Sequence, residues 1–465
     1  MKPLIFNPQW LQRQTVMVNG QPLAYAAATG ISYVQNPVAP IQRLNVFVPN
    51  AYLDGQTVNG YDATSAPIFM PNTVGGYLPG PADAPDKTSW PTNGKAIIAA
   101  LKHGYVVVAA GLRGRTTVSD GREVGHAPAF IVDMKAAIRY VRHNAQRLPG
   151  NVERIVTNGT SAGGATSALV GASGNANGFA PYLTALGAAD ERDDVFAVSA
   201  YCPIHNLQHA DMAYEWQFNG VNDWHRYAMS PIAGQRPHFT PIAGELTARQ
   251  QRASTALKAA FIDYLNGLQL TDATGRPLTL DAAGHGSFER ALAELIRQSA
   301  QTAASAGTDV HKYAGITTEA AGVTGVDFAA YVRSLTRMKA VPAFDSFDLD
   351  SAENNLFGDE TVSAKHFTAF AQAHGAVRGP QAAAPLVALI DPVSQLQTDR
   401  TTVAKHWRIR HGAADRDTSF AIPFILATSL QQRGLDVDLA FPWDVPHSGD
   451  YDLGDLFEWI DARCR

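Results

Sequence analysis

The chain has 465 residues, 46% of them hydrophobic and 17% charged, with a formal net charge of -5 and a pI near 6.3. This composition describes a globular protein large enough for one big domain with an insertion or for two domains, and it argues against disorder. An acidic balance without a basic run argues against a nucleic-acid or anionic-membrane surface, and no apolar run approaches the roughly 20 residues that span a bilayer.

The opening "MKPLIFNPQW" lacks a signal-peptide core followed by a small-residue cleavage site. The chain reads as soluble, with its compartment open, since a secreted protein whose signal has been removed would look the same. "MVNGQPLAYA" then carries an Asn-Gly hairpin signal, "RLNVFVPNAY" and "APIFMPNTVGG" read as strands, and "GKAIIAALKHG" reads as a helix closed by Gly104. "YVVVAAG" is almost wholly apolar, as a strand buried on both faces must be. In "DMKAAIRYVRHNAQRLPG" the spacing puts Met134, Ala137, Ile138 and Val141 on one helical face. The strand "RIVTNG" runs directly into "TSAGGAT" and a helix follows. "DVFAVSAYCPI" is the next strand.

From about His205 to about Arg400 the alternation stops. "ELTARQQRASTALKAAFIDYLNGL", "SFERALAELIRQSAQTAA" and "VDFAAYVRSLTRMK" carry the 3.6-residue period instead. The α/β pattern resumes with the strand "KHWRIRHGAAD", the helix "FAIPFILATSLQQRG", the strand "VDLAFPW" and a terminal amphipathic helix. The prediction is an α/β protein with a mostly parallel sheet, in which residues 1–204 and 401–465 form the core and 205–400 form a mainly helical insertion before the last two core strands.

Gly159, Ser161 and Gly163 satisfy GxSxG, the pattern of a nucleophilic serine on a strained strand-to-helix turn. Alone, the pattern is short enough to arise by chance. A serine hydroxyl needs a base and an orienting carboxylate, and in hydrolases of this plan these follow on loops after the last two strands. Asp415 and Asp417 follow "HWRIRHG", and His447 follows "VDLAFPW". Asp415 is the better orienting acid because it closes the short "HGAAD" turn, which leaves Asp417 to face the pocket or cap a helix. His406, His411, His205 and His209 compete for the base, but none follows the final strand. An oxyanion hole takes the backbone N–H of Ala162 and one from "NTVGG", where Gly75 and Gly76 let the backbone approach a ligand; a plain turn is the other reading of that pair. Arg113 and Arg115 in "GLRGR" either bind an anionic substrate or anchor neighbouring loops. Two cysteines make no disulfide framework and have no metal-ligand spacing. Cys202, ending an apolar run, reads as a buried thiol, and Cys464 as part of a frayed end. No metal or organic cofactor is implied.

With these loops placed, the chain resembles the bacterial tannases, tannin acylhydrolases of the α/β-hydrolase fold. "MPNTVGGYLPG", "NGTSAGG", the long insertion, "GAADRDTS" and "PHSGDYD" carry the likeness in order over nearly the whole length. The resemblance implies hydrolysis of galloyl esters of a small phenolic substrate, with the insertion serving as a lid. It implies Ser161, Asp415 and His447 as nucleophile, acid and base, and Lys339, Glu353 and Asp417 as galloyl-binding residues. Read from the residues alone, Lys339 and Glu353 are solvated lid positions. Rival readings are a feruloyl or broad carboxylesterase, a serine peptidase of the same fold, and a catalytically dead binding module.

Overall fold

The computed structural model describes residues 4–87, 94–230, 238–375, 377–398 and 400–465. In chain order the core elements are β1 (Gln12–Val18), β2 (Gln21–Ser32), β3 (Arg43–Pro49), β4 (Pro67–Pro71), α1 (Lys95–Lys102), β5 (Val106–Ala110), α2 (Ala129–His143), β6 (Asn151–Thr160), α3 (Ala162–Ala172) and β7 (Ala197–Tyr201). After a long excursion come β8 (His406–Arg410) and β9 (Asp436–Ala440). These strands form one nine-stranded sheet in the order β1-β2-β3-β5-β4-β6-β7-β8-β9. β1 to β3 are antiparallel, and every pairing from β5 to the β9 edge is parallel.

Local chemistry accounts for the arrangement. Asn19 and Gly20 both have positive φ, 50° and 80°, which is the two-residue turn that matches strand twist, and Val18 pairs with Gln21 across it. Every residue of β4 and β5 is buried, so these strands lie at the centre with helices over both faces. α2 departs from the single-faced helix predicted for it: Lys135 and Arg142 are buried along with Met134, Ala137, Ile138 and Val141. Lys135 survives there because its ammonium bonds Asp193 at 2.7 Å and the Ser173 carbonyl at 2.6 Å. Asp133 on the same helix takes a fork of bonds from Arg113 at 2.8–2.9 Å, so Arg113 is an anchor.

Between Tyr201 and His406 no strand among the described residues joins the large sheet. This stretch carries α4 (Leu207–Phe218), α5 (Ala248–Gly267), α6 (Ser287–Ser305), α7 (Phe328–Leu335) and the one-turn α8 (Ala352–Leu356). It also holds two hairpins that the helical period hides, Asp223–Ser230 with His238–Glu245 and Ile316–Glu319 with Gly322–Val326. α9 (Ala421–Gln432) lies between β8 and β9, and α10 (Leu453–Cys464) ends the chain. α10 is tied down by Phe457, which stacks on His103 with ring centroids 5.0 Å apart. The expectation of a frayed Cys464 is therefore corrected, for the residue is buried at the end of a packed helix.

Candidate active site

Ser161 stands between the last residue of β6 and the first of α3 with φ 61° and ψ -123°, a strained conformation for a residue with a side chain. The turn is closed by packing. A Cβ on Gly159 would lie 2.3 Å from the Gly163 carbonyl oxygen, one on Gly163 2.6 Å from Asn72 Oδ1, and one on Gly164 2.5 Å from the Tyr201 carbonyl oxygen. These glycines are there because nothing larger fits. The backbone N–H of Ser161 donates to the Tyr201 carbonyl at 2.9 Å, which holds the turn to the end of β7.

The loops after β8 and β9 are laced together by Ala413 N–H to the Pro442 carbonyl at 2.9 Å and Ala414 N–H to the Val445 carbonyl at 3.0 Å. This brings Asp415, fully buried, to His447: Nδ1 lies 2.7 Å from Oδ2. The second carboxylate oxygen of Asp415 accepts the backbone N–H of Asp417 at 2.8 Å. The His447 loop also presses on the serine's strand, since a Cβ on Gly449 would lie 1.8 Å from Thr160 Oγ1, and Asn158 donates to Asp450 at 3.0 Å. Burial, the largest single influence, pulls the imidazole of His447 toward its neutral form, but the facing Asp415 carboxylate together with Cys202 and Asp417 more than offsets it and holds its pKa well above the ordinary value. Burial likewise pushes Asp415 up while the charge of His447 pulls it down, and the net is below the ordinary carboxylate value.

The rival histidines are placed elsewhere or sealed. His406 pairs with Asp436 at 2.8 Å, and His209 stacks on Tyr264 at 3.7 Å between centroids. His205 and His411 are buried, with both ring nitrogens lacking a hydrogen-bond partner among the described residues. His411 lies 3.7 Å from the Asp415 carboxylate, and desolvation lowers its pKa to about 4, which keeps it neutral at physiological pH.

Two further groups converge on this centre. The "NTVGG" loop is pinned to α3 by Asn72, whose amide donates to the Asn158 and Gly163 carbonyls at 3.0 Å each and to Ser167 Oγ at 3.1 Å. Within that loop Gly76 has φ 52°, and its carbonyl accepts Arg115 Nε at 2.9 Å. Arg115 also donates to Asn355 Oδ1 at 3.0 Å, so it links the loop to α8, the helix bearing Glu353. Lys339 Nζ lies 2.5 Å from Asp417 Oδ1 and 3.9 Å from the centroid of Phe344. Tyr214 fixes the Lys339 backbone, accepting the N–H groups of Met338 and Lys339 at 3.0 and 3.2 Å and donating to the Arg416 carbonyl at 2.9 Å.

The solvated reading of Lys339 and Glu353 is thereby corrected. Glu353 is 9% exposed, and Lys339 and Asp417 retain 18% and 20% of their side-chain surface. Burial lifts the Glu353 carboxyl above its ordinary range against the pull of Lys339. Burial would lower the Lys339 ammonium, yet Asp417 and then Glu353 raise it overall, and Asp417, opposing its own burial, is drawn down to about 2 by Lys339 and His447. The sequence reading missed Asn72, Tyr214 and Phe344, because single residues that act through distant partners leave no local spacing to detect.

Comparison with known proteins bears on what this constellation belongs to. A family model described as BD-FAE matches residues 82–235. The structure of tannase from Lactobacillus plantarum superposes with a TM-score of 0.98 at 63% identity, over 100% of both chains. The chain belongs to the tannase family. A tannin acyl hydrolase solved in complex with ethyl gallate is similar at 63% identity and a TM-score of 0.96 over 99% of each chain. The Fusobacterium nucleatum tannase is similar at 43% identity and 0.93 over 100% of both. A search of curated proteins found no match. Tannases are carboxylic ester hydrolases, and the mostly parallel sheet with its serine turn is the α/β-hydrolase fold. Among the described residues, no helix is long and apolar enough to cross a membrane.

Proposed function

We propose that the chain hydrolyses galloyl esters, releasing gallic acid from gallotannins and simple gallate esters by two acyl transfers through Ser161. In the first, His447 takes the Ser161 proton as Oγ attacks the galloyl carbonyl, and the N–H of Ala162 with one from the Gly75–Gly76 pair holds the oxyanion. The alcohol leaves with the proton from His447. Water, deprotonated in turn by His447, then attacks the acyl-enzyme, and Ser161 recovers a proton as gallic acid departs. Asp415 keeps the imidazole in the tautomer with its lone pair at Nε2 and stabilises the imidazolium. Residues 205–400 act as a lid that supplies Lys339 and Glu353 to the acyl pocket.

One observation carries the specificity: the half-buried Lys339–Asp417 pair lies a single backbone hydrogen bond from the carboxylate that holds His447. Three adjacent phenolic hydroxyls each donate and accept; Glu353 and Asp417 offer acceptors and Lys339 a donor to match. A ring without those hydroxyls leaves the charges unpaired, and sites built to hydrogen-bond a hydroxyl discriminate by roughly 10⁴ to 10⁵. The relative bound to ethyl gallate supports the same class of ligand. Comparing kcat/KM for methyl gallate, methyl ferulate and methyl benzoate tests the reading. Methyl gallate should lead by orders of magnitude; equal rates for the three esters would sink it in favour of a broad carboxylesterase.

A further inference from the structure

We propose that Cys202 and His447 form a binding site for a thiophilic divalent cation of the zinc class, and that the bound ion shuts the enzyme off by occupying the lone pair of the base. The inhibitory half of this proposal rests on the catalytic reading of His447 given above. The binding half rests on geometry alone.

Cys202 follows β7 directly and turns with φ 35°, its N–H donating to the Arg410 carbonyl at 2.6 Å. Its Sγ faces Nε2 of His447 at 3.8 Å and the Ser448 carbonyl oxygen at 3.4 Å. One ligand atom from each of Cys202, His447 and Asp415 lies within 4.8 Å of the other two. Zinc bonds of about 2.3 Å to sulfur and about 2.0 Å to nitrogen span the Sγ–Nε2 gap at an angle of roughly 120°, near the tetrahedral value.

The outer partner of the imidazole is already placed as in metal sites. A metal-bound imidazole almost always gives its second N–H to a carboxylate, which fixes the tautomer and makes the free nitrogen a better donor. Asp415 holds Nδ1 of His447 in that way at 2.7 Å, so the tautomer suited to a general base is also the tautomer of a ligand. Soft thiolate and borderline imidazole together select zinc-class ions over magnesium or calcium. His447 retains 23% of its side-chain surface, which leaves its ring reachable by an ion, while Cys202 is fully buried beside it. On binding, the Cys202 thiol and the imidazolium form of His447 each release a proton to solvent, the sulfur and Nε2 then each give an electron pair to the ion, and nothing is oxidised or reduced. Water or Ser161 completes the coordination sphere.

The test uses the full chain, wild type and Cys202→Ser, with zinc chloride as inhibitor and cobalt chloride as a spectroscopic probe. Wild type should bind one cobalt ion with a thiolate-to-metal charge-transfer band. Its methyl gallate hydrolysis should fall in step with zinc occupancy and return on adding a chelator. In Cys202→Ser the band should vanish and the half-inhibitory zinc concentration, each protein referred to its own metal-free rate, should rise at least about tenfold. Cys202→Ala serves the same purpose if the serine variant does not fold. A band that persists without Cys202 and disappears in Cys464→Ser overturns the site, and so does equal zinc sensitivity of wild type and variant. Should the chain hydrolyse no galloyl ester, the cobalt band still decides the binding half, so failure of the functional reading is distinguishable from failure of this one.

Discussion

Ser161 and Lys339 face one centre from regions built on different physics. Ser161 is placed by backbone: the end of a strand in a parallel ladder, a hydrogen bond to Tyr201, and glycines that let three chain segments touch. Asp415 and His447 share that construction, on loops laced by main-chain bonds after β8 and β9. Lys339 is placed by side chains. It lies outside the regular helices of the insertion, held by the Tyr214 hydroxyl, the Phe344 ring and the Asp417 carboxylate. Backbone placement is indifferent to what the substrate carries, whereas charge placement is complementary to particular groups on it. The strand-end half should therefore govern turnover of any ester, and the inserted half should govern which acyl group is accepted.

The sharpest way to break that division starts at Ser161, the proposed nucleophile. Ser161→Ala should lower kcat on the order of 10⁶-fold for methyl gallate and for methyl benzoate alike, with an unchanged melting curve. Asp415→Asn should follow at about 10⁴-fold, again for both esters, because the wrong imidazole tautomer affects every acyl group. Lys339→Met belongs to the other half. Truncating one partner of a largely desolvated charge contact at a binding site costs about 2–5 kcal/mol, so methyl gallate should lose roughly 10² to 10³ in kcat/KM while methyl benzoate loses less than about tenfold. Equal losses on both esters would erase the distinction between the halves.

A smaller effect probes the packing that joins them. Gly449→Ala places a Cβ 1.8 Å from Thr160 Oγ1, so the His447 loop must move away from the strand that bears Ser161. A displacement of about 1 Å in a catalytic group lowers turnover about 10²-fold. Thr160→Ala in the same chain should restore part of the rate by opening the space. A double variant no faster than Gly449→Ala would show that the loop is not held at this contact.

The same contrast explains what could be read in advance. β5, the serine turn and the two loops carrying Asp415 and His447 are legible because apolar runs, glycines and strand ends are local features of "YVVVAAG", "NGTSAGG" and "HGAAD". The Asp223–Ser230 hairpin is not, since its described side chains are largely exposed and show no apolar alternation. Lys135 beside Asp193 joins residues 58 apart, and Cys202 beside His447 residues 245 apart; spacing says nothing about such pairs. Lys339 and Glu353 fall in that class. Residue-level reasoning put them in solvent, and only the family likeness singled them out.

The smallest predicted effect concerns pH, and it tests whether the two halves are electrostatically independent. In the proposed mechanism His447 must be neutral to accept the Ser161 proton, and its pKa lies above the ordinary imidazole value, so activity should be lost as pH falls through that raised pKa. The charged and titratable groups acting on it are Asp415, Cys202, Asp417 and the buried His411. Asp417→Asn removes one of the carboxylates that favour imidazolium while leaving Asp415 in place. The acid limb of kcat/KM should then shift to lower pH. Methyl benzoate is the substrate to use, because it has no ring hydroxyls for Asp417 to contact and so isolates the field from recognition. A limb that stays put would mean Lys339 neutralises Asp417 so fully that the base never feels it, and a limb that moves up would contradict the sign of the interaction.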